Sequence, residues 1–120
     1  MRQERIAELA AIAAVEGAKR PEISIVIPAL NEAECIVGTL CAVDQLAGTL
    51  VRSHEIILVD DGSTDDTLLR AQTLGHHLPL TTIRLSRNFG KEQAMMAGLS
   101  QARGDAVIIL DADLQEPVDA

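Results

Sequence analysis

Four short polar stretches hold nearly all the chemistry-bearing residues of the 120-residue chain: "PALNE" (28–32), "DDGSTDD" (60–66), "SRNFGKE" (86–92) and "DADLQEP" (111–117). In the last, Asp111 and Asp113 are two apart. In extended backbone such residues point to the same side, about 6.5–7 Å apart, so both carboxylates can address one hard cation directly or through water. Gln115 adds a carbonyl oxygen if the chain stays extended. Two like charges so placed repel unless a cation lies between them. Arg87 and Lys91 make the opposite case. They fall at the start of an expected helix, where the macrodipole disfavours cations, and with Gly90 allowing close backbone approach they suit the oxygens of a phosphate. A basic island facing an acidic mouth fits a metal-bridged diphosphate.

The acids beside them have simpler readings. Asp60 is expected to cap the turn into "GSTDD", and Asp61, one residue further out, to accept hydrogen bonds from a base or ribose. Asn31 is expected as a helix cap and Glu32 as a first-turn acid, with Pro28 fixing a strand exit and shaping a wall of the same crevice. His54, His76 and His77 have no acid or cysteine at ligand spacing, which argues against a histidine metal site. GxGxxG, GxxxxGK[ST] and GxSxG patterns do not occur.

What positions these stretches is a repeating unit of apolar run, turn and amphipathic helix, beginning at Pro21. "ISIVIP" (23–28), "EIILVD" (55–60), "LTTIRL" (80–85) and "AVIIL" (106–110) read as strands. The first helix follows in 31–48, with Ile36, Leu40 and Val43 on one face. The second runs to Gly75, capped by Ser63 or Thr64, with Asp65 and Asp66 in its first turn. The third occupies 88–104, with Met95, Met96, Leu99 and Ala102 inward. Alternating strands and helices predict an α/β fold, a Rossmann-like doubly wound, mostly parallel sheet. In such sheets ligands bind beyond the carboxyl ends of the strands, and the four polar stretches lie at those four ends.

Composition agrees. Hydrophobic residues make up 48% of the chain, yet Phe89 is its one aromatic, so the core must be aliphatic, as in a buried parallel sheet. The length allows one modest domain, burying on the order of 65% of its unfolded surface. A formal charge of -8 repels nucleic acid and anionic lipid. Cys35 and Cys41, about 9 Å apart along a helix and on opposite faces, cannot bridge each other and suit a reducing cytoplasmic setting. Residues 1–20 form an expected leader helix, with Ile6, Leu9, Ala10 and Ala13 near helical spacing. Glu4, Glu8 and Glu16 break the apolar run that a signal peptide needs, and nothing approaches the roughly 20 apolar residues of a membrane span.

The ordered set "ISIVIPALNE", "EIILVDDGSTDDT", "LSRNFGKEQAMMAGLSQARGD" and "VIILDADLQEP" resembles the family-two glycosyltransferases of GT-A fold, and within them the polyprenyl-phosphate (dolichol- or undecaprenyl-phosphate) sugar transferases, over residues 22–117. The resemblance implies transfer of a sugar from a nucleotide-diphosphate donor, a UDP- or GDP-sugar, to a lipid phosphate, with inversion and a Mg²⁺ or Mn²⁺ ion. It implies that Pro28, Leu30, Glu32, Val59 and Asp61 line the nucleoside pocket, that Ala112 lies close to the donor, and that Arg87 and Lys91 lie near the diphosphate. Asp111, Asp113 and Gln115 match the metal positions, Asp113 being the catalytic one. The family commonly has an aromatic in "PxYNE" where this chain has Leu30. Residues 21–120 then correspond to the donor half of the domain. The family's C-terminal half, with acceptor-site basic residues and often membrane helices, is expected to be missing, which places full-length relatives at the cytoplasmic face of a membrane. Two other classes compete. One is a nucleotide-sugar or metal-binding module without turnover. The other is a phospho-receiver domain, which needs its acidic pair after the first strand and a lysine after the last.

Overall fold

The computed structural model describes residues 20–113; the expected leader helix, apart from Arg20, lies outside them. Four strands form one parallel sheet: β1 (Ile23–Ala29), β2 (His54–Asp60), β3 (Leu80–Arg84) and β4 (Ala106–Ile109). Three helices connect them: α1 (Ile36–Leu50), α2 (Thr67–Gln72) and α3 (Lys91–Gln101). The sheet order is β3-β2-β1-β4. The chain therefore winds outward from β1 through β2 to β3, then crosses back to place β4 on the other side of β1. That reversal defines a topological switch point, with its crevice at the carboxyl ends of β1 and β4.

Strand alternation divides the core in two. On one face Ile25, Ile27, Ile56 and Leu58 pack with Ile36, Leu40, Val43 and Ala47 of α1 and Ala71 of α2. On the other, Val26, Ile57 and Val59 pack with Ala94 of α3. The inward face of α3 departs from expectation. Ala94 and Gly98 are its buried residues, whereas Met96 is 62% and Leu99 39% exposed and Met95 is only partly covered. The reason is distance: a Cβ on Gly98 would run into the side chains of Val26 and Val59, so α3 lies against β1 and β2 through small residues and the bulky ones turn outward. Gly98→Val is accordingly expected to cost about 1–3 kcal/mol of stability through overpacking, and Met96→Gln less than about 0.5 kcal/mol, read as shifts in the urea midpoint.

Pro28 is not a strand terminator but sits inside β1, opposite Val59. On the β4 side the ladder reaches Val26, whose carbonyl accepts the Leu110 N–H at 3.0 Å. Pro28 is the next β1 residue facing that way and has no N–H to continue the ladder. The two strands part there, and the crevice opens. At the other end of the sheet the buried Glu55 carboxylate accepts the Ser24 hydroxyl (2.5 Å) and the Arg103 N–H (2.7 Å), while Ser24 Oγ accepts the Gly104 N–H (2.8 Å). These bonds fix where β4 starts, and so where its acidic tip emerges. The His54 ring also has an acid partner, Asp44 of α1 at 2.8 Å, which ties α1 to β2.

Candidate functional site

The acidic tip after β4 does not stay extended but bends at Ala112: Asp111 and Asp113 are exposed and Ala112 between them is 3% exposed. Its anchor is the Ala112 carbonyl, which accepts the buried Thr39 hydroxyl of α1 at 2.8 Å and faces the Cys35 thiol at 3.8 Å. With the backbone held, both carboxylates project into the crevice mouth. Thr39 carries no functional signal in its type alone; the signal in the sequence is a hydroxyl on the apolar stripe of Ile36, Leu40 and Val43. Cys35 also donates to Glu32 Oε1 (3.2 Å). Burial first, then the Glu32 carboxylate, push its thiol above the usual range, so it stays protonated and unreactive near neutrality. Both cysteines are free, as expected from their spacing.

Across the mouth, Lys91 opens α3 and its ammonium reaches Asp111 Oδ1 at 2.5 Å, both side chains being about 60% exposed (60% and 63%). Such an exposed pair holds together by no more than about 1 kcal/mol, so either partner is free to engage a ligand. Arg87 lies just ahead of the helix, with its guanidinium 4.8 Å from the centroid of the Phe89 ring.

The loops after β1 and β2 are zipped together, and here several expected roles change. Asn31 does not cap a helix. It adopts φ 54, donates its N–H to Ser63 Oγ (2.8 Å) and accepts the Thr64 N–H on its side chain (2.8 Å), because α1 starts five residues later, at Ile36. Glu32 donates its N–H to Thr67 Oγ1 (2.8 Å). Asp65 and Asp66 precede the shortened α2 and are not in its first turn, and neither Ser63 nor Thr64 caps it. Asp60 caps nothing either. As the last residue of β2 it shares the Ile56 and Leu58 face, is 1% exposed, and its Oδ1 has no hydrogen-bond partner among the described residues.

Asp65 accepts the Thr67 hydroxyl, the Thr67 N–H (3.0 Å) and the Ala33 N–H (3.2 Å). The Thr67 hydroxyl chiefly holds its carboxyl below the ordinary value of 3.8. A depressed folded value gives stability that is present above 3.8 and lost as pH falls through the lower folded value. Asp65→Asn is therefore expected to lower the urea midpoint at pH 7 and to leave it nearly unchanged at pH 2.

Around the switch point lies one cavity of about 820 Å³, lined by Pro28, Leu30, Glu32, Asp61, Lys91, Asp111, Ala112 and Asp113 together with Asn88 and Gly90. Eight of the site positions read from the sequence thus converge on it. Val59 does not line it: its side chain is fully buried beneath α3. Arg87 stands outside the lining, on Phe89, and Gln115 lies outside the described residues. Leu30, 37% exposed, gives the wall an aliphatic surface, as its type leads one to expect. Among the described residues no three His, Cys, Asp or Glu side chains converge on one point. Two carboxylates without a third acid suit a hard cation that completes its shell with water and substrate phosphates.

A parallel α/β sheet with a polar crevice at its switch point, acids on one lip and a lysine on the other, defines a doubly wound α/β protein whose ligand site lies at that crevice. The comparisons make this specific. The model of Glycosyl transferase family 2 matches residues 24–120, and the chain belongs to that family. An undecaprenyl-phosphate 4-deoxy-4-formamido-L-arabinose transferase of Klebsiella pneumoniae is 42% identical over 100 residues, which are 80% of this chain and 30% of the relative. A transferase of the same name from Pseudomonas fluorescens is 43% identical over 97 residues, 79% of this chain and 29% of the relative. The chain thus spans about 30% of the length of these curated relatives. Among solved structures, a mannosyltransferase from Pyrobaculum calidifontis in complex with GDP-Man and Mn²⁺ aligns with a TM-score of 0.69 at 32% identity, over 78% of this chain and 28% of that one. S. aureus TarS 1–349 in complex with UDP-GlcNAc aligns with a TM-score of 0.68 at 29% identity, over 77% and 26%.

Proposed function

We propose that this chain is the donor-binding part of a glycosyltransferase that moves a sugar from a nucleoside diphosphate to a polyprenyl phosphate, with inversion and with Mg²⁺ or Mn²⁺. The observation that carries the reading is the switch-point cavity, where Asp111 and Asp113 face Lys91 across a mouth walled by Pro28, Leu30 and Glu32. The base and ribose lie against that apolar wall, and the diphosphate lies toward α3. There the N–H groups of Lys91, Glu92 and Gln93 precede the first helical bond, from Ala94 to Gly90, and favour an anion. Asp111 and Asp113, with Gln115 beyond them, hold the cation. The chemistry it supplies when bound is neutralisation of charge on the departing diphosphate. Lys91 adds a mobile positive charge on the same side, and Arg87 a second at the rim.

In the transfer an oxygen of the acceptor phosphate attacks the anomeric carbon while the bond to the diphosphate breaks on the opposite side, which inverts that carbon. The acceptor is already ionised near neutrality, so Asp113 serves by holding the cation and no strong general base is required. Membrane association belongs, in this reading, to segments beyond these residues, since no helix among the described residues is long and apolar enough to cross a membrane.

Incubation with labelled UDP- and GDP-sugars, undecaprenyl phosphate and Mn²⁺ is the test. Label passing into the lipid phase only with metal present is the expected result. A second reading is a module that binds the donor without turnover. Metal-dependent binding with no transfer selects it, and neither binding nor transfer overturns both.

A further inference from the structure

Asp61 lines the cavity, but its carboxylate is already engaged. Oδ1 accepts the Phe89 N–H at 2.8 Å and Oδ2 accepts the Gly90 N–H at 3.1 Å. The side chain is rigidly placed: the residue is 4% exposed, and its own N–H donates to the Ala29 carbonyl of β1 at 2.9 Å. The next residue closes the fit. Gly62 has φ 80, and the space a Cβ would take there is filled by the backbone of Arg87 and Asn88. The turn after β2 and the loop before α3 are thus in backbone contact, bonded through one carboxylate. That loop sets the origin of α3: Gly90, at φ 105, is its N-cap, and the following Lys91 carries the ammonium that faces Asp111.

We propose that Asp61 is a positioning residue. It acts through the Phe89–Gly90 backbone to place Lys91 and the start of α3 at the diphosphate end of the donor, and not chiefly through contact with the base. The proposal rests on the donor-site reading above. A carboxylate suits the task because two convergent N–H groups need two acceptors, and bonds to a charged acceptor are the stronger kind. Aspartate has the reach to the loop from a position fixed by the β1 ladder. Asparagine offers one acceptor and turns an N–H toward the other amide.

The probe that separates the roles is inorganic pyrophosphate, which has no base and no ribose. With Mn²⁺ present, Asp61→Ala is expected to weaken pyrophosphate, UDP and GDP by one common factor, on the order of 10–100-fold as for other lost outer-shell partners. Asp61→Asn, which keeps the side-chain size, is expected to give a smaller common loss. Hydrogen exchange on the unliganded protein supplies a second readout: the Phe89 amide loses protection while those of Ile57 and Val59 keep theirs, the Gly90 N–H being held also by Asn88 Oδ1 (3.0 Å). Unchanged pyrophosphate binding beside weakened nucleotide binding would overturn the proposal in favour of direct base contact. Equal loss of protection throughout the sheet would overturn it in favour of a general structural role. Wild-type protein that binds none of the three ligands would sink the donor-site reading and this proposal together, a result distinct from either selective outcome.

Discussion

Replacing Asp113 with alanine is expected to abolish metal-dependent binding of UDP and GDP while leaving the fold intact. Asp113 is exposed, and the chain beside it is held by the backbone carbonyl of Ala112 on Thr39, a bond the substitution does not touch. Loss of stability should stay within about 0.5 kcal/mol. The effect on ligand should be far larger. One of the two carboxylates of the β4 tip disappears, and the other, Asp111, already has Lys91 as a counter-charge. A unit charge about 4 Å from a cation near a protein surface is worth on the order of 4 kcal/mol, roughly a thousandfold in affinity. Calorimetric titration with Mn²⁺ present, beside a urea midpoint for each protein, separates the two quantities. An unchanged nucleotide affinity would remove Asp113 from the site.

Gly62→Ala is expected to be the most damaging glycine-to-alanine substitution among the described residues. Its φ of 80 lies where an L-residue is strained by about 1–2 kcal/mol. The new methyl would also displace the backbone of Arg87 and Asn88, an overpacking cost of about 1–3 kcal/mol. Together these take about 2–5 kcal/mol from a domain whose whole stability is about 5–15 kcal/mol. Because the displaced backbone is the loop that carries Lys91 and bonds Asp61, the variant should lose metal-nucleotide affinity even where it remains folded. A urea midpoint equal to wild type would show that the turn and the loop are not in the contact described.

The strands were legible because their signal is local: runs such as "IVI" (25–27) and "IILV" (56–59) are buried on both faces and carry no polar residue to misplace. Their carboxyl ends located the acids, the lysine and the apolar wall before any contact was known. The helix faces were less legible. Helical spacing offers both Met95–Met96–Leu99 and Ala94–Gly98 as inward stripes, and the choice depends on how closely α3 approaches Val26 and Val59, a non-local distance. The same holds for Asn31, whose partners Ser63 and Thr64 are more than thirty residues away (32 and 33), and for Asp61, whose position was legible but whose Phe89 and Gly90 partners were not. Val59 could be assigned to a pocket wall from resemblance, yet strand alternation turns its side chain beneath α3. The order β3-β2-β1-β4 gives the strand ends their common meaning, since it puts the β1 and β4 ends side by side.

On the proposed function, the switch-point cavity binds a nucleoside diphosphate through a shared divalent cation. Isothermal titration of the wild-type chain with UDP and with GDP, each with Mn²⁺ and with EDTA in its place, addresses it directly. Saturable one-to-one binding of at least one nucleotide with Mn²⁺, lost in EDTA, is the predicted result. Binding of equal strength in EDTA, or no binding of either nucleotide under both conditions, would contradict it.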